Sequence, residues 1–202
     1  MVGEPVGQFY GYKVIGMFKE ESDFYKKDAD GNFQLDEAGN RIRIAIPKGQ
    51  QISKNGIWVG DYIYEDLHED GVIDEKDRTF LGNPAPKFTF GFNNYFAYKG
   101  FDLNIFLNGS VGNKAVNLIR RTFTDPMRNS NLLKEATDIA LIGMHDPEVG
   151  DEELSNVYIV NADRAKVQRV TTSSANDNNR ISSRFIEDAS YLRIKNISLG
   201  YT

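Results

Sequence analysis

The stretch Lys87-Phe-Thr-Phe-Gly-Phe-Asn-Asn-Tyr-Phe-Ala-Tyr98-Lys-Gly-Phe101-Asp-Leu-Asn-Ile-Phe-Leu-Asn-Gly-Ser-Val111 decides the fold. In its first half one parity holds Phe88, Phe90, Phe92, Asn94, Phe96 and Tyr98, and the other holds Lys87, Thr89, Gly91, Asn93, Tyr95 and Ala97. Lys99-Gly100 fits a two-residue hairpin turn. The return half puts Phe101, Leu103, Ile105, Leu107, Gly109 and Val111 on one face and Asp102, Asn104, Phe106, Asn108 and Ser110 on the other. Both runs exceed about ten residues, where globular strands average five or six. A membrane-spanning strand needs about 9–11 residues and alternates apolar with polar. Length, a tight turn and the aromatic load favour a barrel wall over a sandwich, so the chain reads as all-β dominated, an antiparallel partial transmembrane barrel.

Upstream lies Asp61-Tyr-Ile-Tyr-Glu-Asp66-Leu-His68-Glu-Asp70-Gly71-Val72-Ile73-Asp74-Glu-Lys-Asp77. Its core overlays a twelve-position calcium loop, with Asp66, His68, Asp70, Val72, Asp74 and Asp77 at the ligand positions and Gly71 at the sharp turn. The overlay makes Ca2+ a structural cofactor held by Asp66, Asp70, Asp74, Asp77 and the Val72 carbonyl. His68 offers nitrogen where a hard cation wants oxygen, and Asp77 is shorter than the usual Glu. The opposing reading is an acidic turn whose carboxylates face water.

Elsewhere, Gln8 to Phe18 reads as a kinked strand punctuated by Gly11 and Gly16. Asp28-Ala-Asp30-Gly31-Asn32 and Asp36-Glu-Ala-Gly39-Asn40 are turn signals around a short polar hairpin; their carboxylates are too sparse for a second cation site. Ile42 to Ile46 and Trp58 to Tyr64 read as strands. Lys114 to Phe123 and Asn131 to Met144 have helical composition, with Asp146-Pro147 as a stop. Asp151 to Asn179 is polar, and its end, Thr171 to Asn179, reads as flexible. His145 beside an acid reads as a surface histidine. The terminal strand Arg184 to Thr202 changes parity between Ile194 and Ile197, which a bulge near Asn196 would reconcile.

At 202 residues the chain can bury a real core. A net charge of −5 without a basic stripe argues against a nucleic-acid partner, and the absence of cysteine removes disulfides and thiolate metal sites. Met1 to Pro5 has neither a basic n-region nor an apolar h-region, which predicts either a cytoplasmic chain or a piece of something longer. No Ser-His-Asp order, metalloprotease motif or phosphate loop appears, and Asp74 and Asp77 share one loop rather than flanking a cleft as glycosidase carboxylates do. The expectation is that the chain is not an enzyme.

Several separated blocks resemble one family. They are Gly3-Glu-Pro with Gly7-Gln-Phe-Tyr-Gly-Tyr12; Gly60-Asp61 through Asp70-Gly71-Val-Ile73-Asp74 to Leu81-Gly82-Asn83-Pro84; Pro86-Lys-Phe-Thr-Phe-Gly91-Phe-Asn93-Asn94; Tyr98-Lys-Gly-Phe-Asp-Leu103; and Glu187-Asp-Ala-Ser190-Tyr-Leu-Arg-Ile-Lys-Asn-Ile-Ser-Leu-Gly-Tyr201. Together they resemble the SusC/RagA type of TonB-linked outer-membrane transporter. The resemblance implies a Bacteroidetes-type importer of glycans or peptides, working with a SusD-like surface lipoprotein and energised by TonB. The implied fold is a plugged barrel of about 22 strands. Residues 1–202 would supply part of its C-terminal half, without leader, TonB-contacting segment, plug or last strands. His68 stands where that family usually has Asn or Asp.

On this reading residues 65–83 form an acidic extracellular loop, 86–112 a transmembrane hairpin, 113–183 a long extracellular excursion with short helices, and 184–202 a further strand. The Lys99-Gly100 turn would be periplasmic. Phe88, Phe90, Phe92, Phe96, Phe101, Leu103, Ile105 and Leu107 would touch lipid, and Asp102, Asn104, Asn108 and Ser110 would face the lumen. The alternative is a free-standing extracellular β-sandwich, stabilised by calcium, that binds carbohydrate through Trp58, Tyr62 and Tyr64.

Overall fold

The structure, a computed structural model, describes residues 6–202. The Gly3-Glu4-Pro5 portion of the resemblance and the leader reading of Met1 to Pro5 lie outside the described residues. Strands dominate, most of them antiparallel, and Leu118–Phe123 is the one α-helix among the described residues. No helix there is long and apolar enough to cross a membrane, which says nothing about spanning by strands. The chain divides into two compact units. One comprises Met1–Tyr10, Phe80–Asn117 and Ile186–Thr202, and the other Gly11–Thr79 and Leu118–Phe185. The 86–112 hairpin falls wholly in the first unit, whereas the expected 65–83 and 113–183 segments are each split by the boundary.

The first unit is built on three 11-residue strands, Phe88–Tyr98, Phe101–Val111 and Tyr191–Tyr201, with Phe101–Val111 in the middle. Lys99 and Gly100 both take positive φ (46° and 83°), the type I′ turn whose twist matches the strands it joins. Gly100 is required: a Cβ there would lie 2.6 Å from the Thr202 carbonyl oxygen. In the other ladder Tyr191 to Ile194 pairs with Ser110 to Leu107, and Asn196 to Tyr201 with Phe106 to Phe101. The register shift between Ile194 and Asn196 is the expected bulge. One extra residue returns Ile197, Leu199 and Tyr201 to the face of Leu192 and Ile194.

The same two chain segments stay paired beyond the sheet, as Lys114–Val116 against Ile186–Asp188. The expected helix from Lys114 therefore begins only at Leu118, because Lys114 to Val116 find strand partners. Between the two ladders Ser190 Oγ accepts from the Gly112 amide (2.9 Å), and Asn113 Nδ2 donates to the Ala189 carbonyl (3.1 Å). Side chains thus satisfy the backbone where the regular ladder lapses.

The second unit has a conventional interior. Phe18 and Phe24 stack at 4.0 Å, and Ile57, Trp58, Val59, Tyr62, Tyr64, Ile73, Val157 and Ile159 are buried around them. The kinked N-terminal strand appears as Phe9–Tyr12 and Val14–Met17, with a register shift between Val14 and Gly16 against Tyr62–Tyr64. The expected Ile42–Ile46 strand is reduced to a bridge at Arg43 and a two-residue parallel pairing of Ile46–Pro47 with Val72–Ile73. The expected helix from Asn131 to Met144 is corrected. Lys134–Asp138 is a 3-10 turn, Ile139 bridges Val167, and Ile142–Met144 pairs antiparallel with Val157–Ile159. Partners distant in sequence supply backbone hydrogen bonds that override a weak helical pattern.

Residues 24–44 make a three-way junction rather than a single hairpin. Lys26 N donates to the Ile42 carbonyl, Gln34 N to Lys26 and Ile42 N to Gln34, closing a ring of three bonds. A stem (Tyr25 against Arg43) and two hairpins (Lys27 against Phe33, Leu35 against Arg41) radiate from it. The hairpin tips share one design. Asp28 Oδ1 accepts from the amides of Asp30 and Asn32, and Asp36 Oδ1 from those of Ala38 and Asn40. Gly31 and Gly39 supply the positive φ. These bonds to the charged form hold both carboxyls below the usual Asp pKa, the amide of Asn32 or Asn40 being the largest cause in each.

Candidate functional site

Directly paired residues share a sheet face, so the register sorts the side chains without ambiguity. From the turn outward the rows are Tyr98, Phe101, Tyr201; Phe96, Leu103, Leu199; Asn94, Ile105, Ile197; Phe92, Leu107, Ile194; Phe90, Gly109, Leu192; and Phe88, Val111. Every member except Asn94 and Gly109 is apolar or aromatic. Many stand open: Phe96 is 57 % exposed, Ile194 60 %, Leu199 73 % and Tyr201 73 %. The Phe90 ring covers Gly109, where a Cβ would lie 2.4 Å from it, an aromatic filling the gap of a missing side chain. The lower row is wholly aromatic, with the Phe101 and Tyr201 rings 4.6 Å apart, while the middle rows are mainly aliphatic.

The opposite face carries Thr89, Ser110 and Tyr191; Gly91, Asn108 and Arg193; Asn93, Phe106 and Asn196; Tyr95, Asn104 and Ser198; Ala97, Asp102 and Gly200. All four residues expected together at the lumen, Asp102, Asn104, Asn108 and Ser110, are on this face. All eight expected at lipid share the other. Phe106, Ala97, Tyr95 and Tyr191 interrupt the polar character of the Asp102 face; the Phe106 ring lies 3.5 Å from the position a Gly91 Cβ would take, covering bare backbone.

Eleven residues at about 3.3 Å each span about 36 Å, and a tilt of about 45° projects this to about 26 Å. That matches the apolar band of roughly 25 Å on outer-membrane barrels, which is bordered by aromatic girdles.

The chain is similar to a segment of TonB-dependent receptors. Three from Formosa agariphila align with it almost end to end: receptor P3 at 29% identity over 98% of the chain, P26 at 29% over 100%, and P39 at 25% over 99%. The chain spans 15%, 16% and 19% of their respective lengths, as a fragment of a TonB-dependent receptor would. No family model matches the chain. A strand-rich, antiparallel structure accords with the β-barrel architecture of that receptor family.

The acidic loop, also part of the TonB-linked resemblance, is held from within. Asp77 is 1 % exposed; its Oδ1 accepts from the amides of Leu67 (2.9 Å) and His68 (3.4 Å), and its Oδ2 from Asp74 (2.8 Å). Asp74 Oδ1 accepts from the Lys76 amide (2.8 Å), completing a capping box over the turn Glu75–Asp77. Asp66 Oδ2 accepts from Gly71 N (2.9 Å), and Asp70 Oδ1 from Val72 N (3.1 Å). Both oxygens of Asp77 and one each of Asp66, Asp70 and Asp74 thus accept from the loop's own amides, while Asp66 Oδ1 is enclosed without a partner among the described residues. Among the described residues no three His, Asp or Glu side chains converge as a metal cage. Val72 pairs with Ile46, and the exposed His68 ring lies 3.8 Å from Asp77.

One buried cluster escaped the sequence reading. Arg169 grips Asp61 through two bonds (3.0 and 3.1 Å) and donates to the carbonyls of Lys54 and Gly56. Asn178 Nδ2 and Trp58 N also donate to Asp61. Asn176 Nδ2 donates to the Tyr62 carbonyl, and Asn178 Oδ1 accepts from Tyr62 N. The expected flexible tract is therefore fixed, its asparagines standing in for a neighbouring strand. Nearby, Arg180 lies 4.7 Å from both the Tyr12 and Tyr64 rings, and Arg184 lies 3.8 Å from that of Tyr62. Burial raises both the Tyr62 and Tyr64 phenols above their ordinary pKa. Tyr62, Tyr64 and Trp58 are buried, so they are not the exposed sugar-stacking platform that the sandwich alternative needs.

Proposed function

We propose that the chain is part of the barrel of an outer-membrane TonB-dependent importer of the SusC/RagA type. Its role is transport rather than catalysis. The carrying observation is a three-strand face that is apolar or aromatic except at Asn94 and Gly109, with many of its residues open, in a chain aligned almost end to end with TonB-dependent receptors. In a sandwich that face would be covered by a second sheet; here it is the surface a bilayer solvates.

On this reading Phe88, Phe90, Phe92, Phe96, Phe101, Leu103, Ile105 and Leu107 meet lipid. Asp102, Asn104, Asn108 and Ser110 meet the lumen, where the enclosed amide oxygens of Asn104 and Asn108, unpartnered among the described residues, find water or protein donors. The Lys99-Gly100 turn is periplasmic, and the acidic 65–83 loop and the 113–183 excursion are extracellular. TonB, a SusD-like lipoprotein, and a glycan or peptide substrate are the partners this reading brings. The acidic loop is a shape-holding element, and any calcium it takes is structural.

A pair of substitutions in the full-length receptor tests the facing. Ile105→Arg is expected to cost about 2–4 kcal/mol near the bilayer midplane and to impair membrane assembly, whereas Asn104→Arg assembles normally. The opposite pattern reverses the faces.

A further inference from the structure

The three-way junction at residues 24–44 presents one face on which two arginines are held ready to bind. Tyr25, Lys27, Phe33, Leu35, Arg41 and Arg43 are its bridged pairs and so lie on one side. The Arg41 guanidinium lies 4.1 Å from the Phe33 ring centre and 5.6 Å from that of Tyr25, and Arg43 also lies 5.6 Å from Tyr25. Tyr25 and Phe33 meet edge to face at 6.0 Å. Among the described residues neither guanidinium has a carboxylate partner, and both are exposed. The Arg41–Phe33 contact holds that planar group and leaves its N–H edges free for bidentate contact with an anion, and Arg43 stands two residues on beside Tyr25. Beside them Leu35, paired with Arg41, is 59 % exposed.

We propose that this face docks an acidic peptide segment of a partner protein, in extended form, with carboxylates at alternate positions and an apolar side chain between them. Three features favour a peptide over an acidic polysaccharide. Arg41 and Arg43 are alternate residues of one strand pass, about 7 Å apart at their Cα atoms, which is also the spacing of alternate residues on an extended peptide. Arg41 lies 4.1 Å from the Phe33 ring centre, so that ring is engaged by a guanidinium rather than left open to a sugar ring. Leu35 offers an apolar contact that a polyuronate does not use, whereas arginine and aromatic side chains beside an apolar anchor are the composition of protein-docking centres. Asp28, Asp30, Asp36 and Glu37 are set apart in the hairpin tips, and Asp23, just outside the junction, pairs with Lys27 (3.6 Å), so Arg41 and Arg43 are the cations this face leaves to a partner.

Fluorescence anisotropy on the full chain in detergent micelles tests the proposal. The probes are a labelled peptide alternating Glu and Leu, its Lys-Leu counterpart, and labelled polygalacturonate. The Glu-Leu peptide is expected to bind and to weaken with salt, and the Lys-Leu peptide not to bind. Arg41→Gln and Arg43→Gln should each weaken binding by roughly tenfold. Arg41→Lys, which keeps the charge but loses the planar fork, should recover only part. Leu35→Ser should weaken the peptide and leave polygalacturonate unchanged. Circular dichroism matched to the parent chain shows that each variant remains folded. No binding of the Glu-Leu peptide at low salt, arginine variants that bind as the parent does, or polygalacturonate binding as tightly as the peptide overturns the proposal.

Discussion

The two units of this chain solve opposite solvation problems with similar side chains. Around Phe18, Phe24 and Trp58 the aromatic residues are almost wholly buried, whereas Phe96, Tyr98 and Tyr201 of the long sheet stand more than half exposed. A sheet in water stabilises itself by removing its apolar face from solvent, at about 25 cal/mol per Å². The long sheet leaves its apolar face open, and its strand length and aromatic ends suit a bilayer. Composition alone, apolar here and apolar there, does not separate a covered face from an open one; register and exposure do.

Breaking the buried ion pair attacks the water-type unit at its most sensitive point. Arg169→Ala leaves the Asp61 carboxylate enclosed without its main partner and should cost about 3–5 kcal/mol. Limited proteolysis should then cut within residues 166–180, with the 88–111 hairpin unaffected. Cleavage no faster than in the parent chain would show that the pair does not hold this segment.

Asp77 gives the next largest effect. Asp77→Ala removes the acceptor for three backbone amides and should cost about 1–3 kcal/mol, read as loss of amide-exchange protection at Leu67 and Asp74. If the loop is held by amides alone, protection is the same with calcium and with chelator. Protection that rises on adding calcium would show that the loop also takes the cation.

The smallest effect is a pH response of the two hairpin tips. Asp28 and Asp36 have depressed folded pKa values, so their contribution is present above the ordinary Asp pKa and lost as pH falls through the folded values. The amides of Asn32 and Asn40 should lose protection together below about pH 4. Loss in only one tip would break their equivalence.

Period-two patterning is local information, and what depended on it was legible. Phe88 to Val111, its Lys99-Gly100 turn and the parity change near Asn196 all appear at the expected residues. What depended on distant partners was hidden. The Asp61–Arg169 pair joins residues separated by 108 positions, and nothing near either residue announces the other. Asn176 and Asn178 have loop composition, yet their amides serve as strand partners. Leu132 to Gly143 carried a helical spacing that pairing with Val157–Ile159 and Val167 overruled. In the acidic loop the sequence marks the turn at Gly71, but spacing does not show which amides the carboxylates hold.

The most direct measurement places single cysteines one at a time from Leu103 to Asn108 in a full-length receptor freed of other cysteines. Spin-labelled in bilayers, they report access to oxygen from the lipid and to a nickel chelate from water. Strict alternation is expected, with labels at 103, 105 and 107 reached by oxygen and labels at 104 and 108 reached by nickel. Nickel access at all six positions, or alternation of the opposite phase, would contradict it.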